Sequence, residues 1–71
     1  MSFIEVERRE FACMAEAVSY YYKLGYATQK ERLGCRILTK GHYKVEIQSI
    51  GFLLVQAVVS TSDHINIPKG H

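Results

Sequence analysis

One stretch constrains this chain more than any other: Glu10 to Gly25, EFACMAEAVSYYYKLG. At about 100° per residue it reads as a single amphipathic helix. Phe11, Ala15, Val18 and Tyr22 fall on one stripe, with Met14 and Tyr21 beside it. Cys13, Ala17, Tyr20 and Leu24 fall on a second stripe further round. Only Ala12, Glu16, Ser19 and Lys23 form a solvated face. The apolar arc is roughly 220° wide, against the ~100° or somewhat more that packing on one layer requires. A sheet can cover the first stripe. The second needs another segment of the chain or another molecule, and Tyr20 and Leu24 are its candidate contact residues.

The helix end is marked better than its start. Lys23 in the last turn suits the negative end of the helix dipole. Gly25 can take the left-handed conformation that closes a helix, and Tyr26 can then fold back on the last turn. No Ser, Thr, Asp or Asn offers an N-cap, although Glu5, Glu7 and Glu10 favour a helix N-terminus nearby.

Beyond Gly25 the periodicity becomes strand-like. Tyr26 to Leu33 is a weak strand, and Cys35 to Lys40 a better one. Tyr43 to Ser49 alternates cleanly, with Tyr43, Val45 and Ile47 inward. Gly41-His42 reads as a hairpin turn and Ile50-Gly51 as the next turn region. Phe52 to Ser60 is the most apolar strand. It puts Leu53, Val55, Ala57 and Val59 on one face and Leu54, Gln56 and Val58 on the other, so it is central or presents a contact face. Residues 3 to 8 alternate as a short strand, with the first turns of a helix as the alternative. Residues 61–71 read as a polar tail in which Ile65 and Ile67 offer at most an edge strand. The expected fold class is α+β: one amphipathic helix on a three- to four-stranded antiparallel meander, with a short N-terminal strand. The ordered core is expected over about residues 3–60 of one domain.

The chain has 71 residues, so the core is small and stability is marginal without a staple or a partner. Two cysteines, Cys13 and Cys35, lack the number of a disulfide scaffold and the spacing of a zinc site, and read as buried reduced thiols. No basic-then-apolar leader and no apolar run near ~20 residues is visible. The expectation is a cytoplasmic protein that does not engage membranes. Phosphate loops, metal-ligand spacings and nucleophile elbows are absent, so no cofactor, metal or catalytic residue is expected. Of the three histidines, His64 and His71 lie in the tail and read as solvated. Only His42 lies near ordered structure, flanked by Lys40 and Lys44.

Net charge is +2, too balanced to argue for nucleic acid alone. The distribution says more: acidic residues gather before residue 17, while Lys30, Arg32, Arg36, Lys40 and Lys44 follow. Arg36, Lys40 and Lys44 are candidates for one basic sheet face with Gln48 and Gln56 nearby, which would track a nucleic-acid backbone or a protein partner.

From Glu10 to Ser60 this helix-then-meander plan resembles small phage-encoded proteins of the anti-CRISPR type. The resemblance implies a non-catalytic module that blocks a host nucleoprotein machine by stoichiometric binding. Leu24-Gly25-Tyr26 followed by a meander is also similar to the opening of HicA-type toxins, which implies a ribonuclease with a strand histidine. Here Gly34 is followed by Cys35, and the nearest histidine is His42 in a later turn. The leading expectation is a protein-binding module, with a homodimer through the helix as one form of it. Nucleic-acid binding is second and ribonuclease activity third.

Overall fold

A computed structural model describes residues 3–62. Along the chain come strand β1 (Ile4–Phe11), helix α1 (Met14–Lys23) and strands β2 (Ala27–Arg32), β3 (Cys35–Lys40), β4 (Tyr43–Gly51) and β5 (Leu54–Thr61). The five strands form one antiparallel sheet in the order β1-β5-β4-β3-β2. Thus β2 to β5 are the meander, and α1 carries the chain from the β1 edge across one face to the β2 edge. The helix-on-sheet plan is as expected, but the sheet has five strands. The N-terminal strand is a full eight residues, with a bulge at Val6 where the register shifts between Glu5 and Glu7.

Alternation sets the core. Leu38 lies opposite Val45, and Val45 and Ile47 lie opposite Val59 and Ala57. With Val55 these residues share one face, and Ala17, Val18 and Tyr21 of α1 close over them. The helix packs chiefly across β4, β1 and β5.

The helix is shorter than its apolar pattern suggests. Glu10 and Phe11 continue β1, and Phe11 pairs with Val55. Its ring then meets Tyr20 at 5.5 Å and Tyr21 at 6.0 Å from the sheet side. Cys13 is the N-cap, in extended backbone and without a side-chain capping bond. Removing these residues from the helix collapses the over-wide arc. The buried set Ala17, Val18 and Tyr21 is a single stripe between the two expected ones, while Ala15 and Tyr22 of the first stripe and Leu24 of the second are exposed. Tyr20, expected as a contact residue of the second stripe, is half-buried, and Tyr22 is the exposed tyrosine of the helix. Both cysteines are free thiols, but Cys13 is exposed and Cys35 only half-buried, so neither is the core residue expected.

The C-terminal end behaves as the sequence indicates. Gly25 has φ +101°, its N–H donates to Tyr22 O, and the Tyr26 N–H donates to Tyr21 O, each at 3.0 Å. That is the paired closure a left-handed glycine permits. Tyr26 then packs edge-on against Tyr21 at 5.5 Å. The Lys40 ammonium reaches over from β3 and donates to Leu24 O at 2.6 Å.

Two expectations on the strands shift. Tyr43 shares the parity of Val45 yet is exposed, because it stands at the turn end of β4 beyond the helix. The β4–β5 turn falls at Phe52-Leu53 rather than Ile50-Gly51. Thr61 closes β5, whereas the tail reading of Ile65, Ile67, His64 and His71 lies outside the described residues. No helix among the described residues is long and apolar enough to cross a membrane.

Candidate functional site

The five expected contact residues do not gather on one surface. Arg36 and Lys40 share the parity of Leu38 and lie on the helix side of the sheet. Lys44, one residue from Val45, lies on the other side. The expected single basic face therefore does not form. Each cation also has an internal contact. Arg36 pairs with Glu31 at 2.8 Å. Lys40 caps the helix and sits 5.8 Å from the centre of the Tyr26 ring. The Lys44 ammonium lies 4.3 Å from the Phe3 ring centre. Tyr20 is held between Phe11, Tyr21 and the Arg9 guanidinium, which lies 5.0 Å above it. Leu24 alone among the five is an exposed apolar side chain.

The face away from the helix is half-buried at its middle, at Ile37, Glu46 and Val58. Across its middle run Arg8, Val58, Glu46, Ile37 and Lys30, alternating charged and apolar. Among the described residues no broad apolar sheet surface is left there, and β5, apolar on both faces, is an interior strand.

The unsatisfied surface is at one end of the sheet. Strands of eight or nine residues run up to about 30 Å at ~3.3 Å per residue. A ten-residue helix runs about 15 Å, so the sheet extends past its cover in a molecule 46 Å long. The β2–β3 turn, Leu33-Gly34, and the β4–β5 turn, Phe52-Leu53, lie at the same end, tied by the Ser49 N–H donating to Gly34 O at 2.9 Å. Leu33 is fully exposed, Phe52 is 92 % exposed and Leu53 65 %. Ile50, in the bulge between Ser49 and Gly51, is exposed between them. Four large apolar side chains thus project from two adjacent hairpin ends.

Leu53 adds a backbone oddity, with φ +53°. In the β2–β3 turn the equivalent second position is Gly34, at φ +77°. A left-handed conformation costs an L-residue roughly 1–2 kcal/mol and costs glycine nothing comparable. Leucine therefore occupies a position where glycine or asparagine would stabilise the turn.

Behind Leu33 an open groove of about 690 Å³ runs between the helix start and the hairpin, lined by Met14, Glu31, Arg32, Gly34, Arg36 and Ser49. It continues along the helix flank past Ala15, Val18, Ser19 and Tyr22. His42 lies at the opposite end, in an open hollow with Phe3, Gln29, Thr39, Tyr43 and Lys44.

The apolar end escaped sequence reasoning because Gly51-Phe52-Leu53-Leu54 reads as the start of an apolar strand. The signal was the phase of alternation. Val55, Ala57 and Val59 pair with Ser49, Ile47 and Val45, which leaves only Phe52 and Leu53 to make the turn.

No protein-family model matches the chain, and neither a curated protein nor a solved structure is significantly similar to it.

Proposed function

We propose that this chain is a non-catalytic module that binds another protein through the apolar end of its sheet. The observation that carries this is the exposure of Leu33, Ile50, Phe52 and Leu53 together, with leucine in a left-handed turn position. Exposed apolar clusters on small folds mark interaction surfaces. Backbone strain kept at such a place favours a role other than stability. Leu24, whose carbonyl is held by Lys40 near the β3–β4 turn, lies toward the opposite end of the sheet and is outside this surface. Arg36, Lys40 and Tyr20 would act chiefly by holding the fold.

The finer form is a stoichiometric inhibitor of a host nucleoprotein machine, which the helix-then-meander plan supports by resemblance. Pull-down of the tagged chain from bacterial lysate, with and without nuclease, tests the broader proposal. Recovery of a discrete protein that survives nuclease and is lost with Leu33→Ser/Phe52→Ser supports it. Equal recovery by that variant contradicts the surface. The inhibitor form requires that expressing the chain relieve restriction of an invading plasmid or phage, and unchanged restriction contradicts it.

A second reading is nucleic-acid binding. It is favoured by the opposite end, where the Lys44–Phe3 pair, Tyr43 and His42 are close together. Aromatic rings beside cations suit single strands. Affinity would then fall steeply with salt, and no binding to mixed RNA and DNA at low salt would remove this reading.

A further inference from the structure

We infer that the surface receiving the apolar end is a concave apolar cleft on another protein, edged by carboxylates. This deepens the protein-binding proposal and rests on it. Shape comes first. Leu33 and the Phe52-Leu53 pair stand on hairpins whose axes are two strand spacings apart, about 10 Å. They are two knobs, not a plane. A phenylalanine can bury roughly 150–250 Å², yet a stable flat interface needs about 800 Å² from each partner. With Leu53 65 % and Ile50 47 % exposed, the four offer roughly 600 Å² in all at about 200 Å² for a fully exposed large side chain, short of a flat self-complementary dimer face. They suit anchors that enter a partner's recess and are ringed by weaker contacts.

Charge gives the rim. Lys30 and Arg32 sit on β2 next to Leu33, with parity that puts both on the open side of the sheet, opposite Ile37 and Cys35. Neither has an ion-pair partner among the described residues. Nearby Glu31 is neutralised by Arg36, and Glu16 of the helix accepts from the Ala12 N–H. Glu10 lies across the sheet on β1. By contrast, the β1 edge is neutralised within itself by Glu5–Arg8 and Glu7–Arg9 pairs. On this corner of the open face Lys30 and Arg32 outnumber the one carboxylate near them, Glu46, which lies across β3 opposite Ile37, so the complementary rim is acidic.

The test places a photo-crosslinking side chain at the knob, Phe52→p-benzoylphenylalanine, in the full chain expressed in bacteria. A parallel chain carries it at Leu24. The expected result is a nuclease-resistant adduct from position 52 to one protein, mapped by mass spectrometry to an apolar segment with Asp or Glu beside it. Lys30→Glu/Arg32→Glu should lower its yield about tenfold, and Leu33→Ser by a similar factor. A yield unmoved by charge reversal overturns the acidic rim. An adduct to a second copy of this chain, or to lipid or nucleic acid, overturns the partner assigned here. Protein adducts from position 24 but not from 52 overturn the apolar-end inference while leaving protein binding standing. Adducts from neither overturn both.

Discussion

Tyr21 is the residue on which the interior depends, and it carries a cost. It is 2 % exposed, at the centre of the cluster with Phe11, Tyr20 and Tyr26, and its hydroxyl has no hydrogen-bond partner among the described residues. Tyr21→Phe keeps the ring and removes the unsatisfied group. Urea unfolding should show stability unchanged or raised by about 1 kcal/mol; a loss above that would reveal a hydrogen bond that the hydroxyl makes. Burial first, and the Glu7 charge next, push the Tyr21 phenol up to about 12. In the unfolded chain it ionises near 10, so between about pH 10 and 12 the unfolded state holds fewer protons than the folded one. Stability is full below pH 10 and falls as pH rises towards 12. Tyr21→Phe should flatten that fall, as read by unfolding at pH 9 and 11. Lys40 is the second such residue. Lys40→Met removes a charged donor from Leu24 O and the contact over Tyr26, and should cost about 1–2 kcal/mol. A neutral result would free Lys40 for the ligand-binding role its charge first suggested.

At the scale of elements, the helix and the turns carry opposite lessons. Helix α1 ends with a complete glycine closure but starts with Cys13 where a capping side chain belongs. Glu16, three residues on, already reaches back to the Ala12 N–H at 3.2 Å. Cys13→Ser supplies an N-cap hydroxyl for the free N–H groups of the first turn and should stabilise the fold by about 0.5–2 kcal/mol. No gain in urea unfolding would mean that the first turn is satisfied otherwise. The β4–β5 turn is the reverse case. Leu53→Gly relaxes the left-handed position and should raise stability by about 1 kcal/mol, while removing one apolar knob and weakening capture of a partner. Higher stability with undiminished capture would detach the strained turn from binding. Strands were legible wherever alternation met a glycine turn, as at Gly34 and Gly41. They were blurred wherever it did not: β1 ran on through Phe11 because a strand aromatic and a helix aromatic bury against the same core, and the Phe52-Leu53 turn was hidden by its own apolarity.

At the scale of the molecule, a sheet longer than its helix leaves two ends that no other described element covers. One end holds Phe3, Tyr43 and Lys44; the other holds the apolar knobs beside Lys30 and Arg32. The excess of apolar surface was visible in the sequence, but its location was not. It was counted on the helix, whereas cross-strand register moves it to the hairpin ends. The basic residues fared similarly: period-two alternation separates Lys44 from Arg36 and Lys40 once the register is fixed.

The central claim is that Phe52 is displayed for contact and contributes nothing to the fold. Urea unfolding of Phe52→Ser against the parent chain tests it most directly. At 92 % exposure, the account predicts a midpoint shift equivalent to no more than about 0.5 kcal/mol. A loss of about 2 kcal/mol or more would show that the ring packs in this chain's own interior, and would contradict the account.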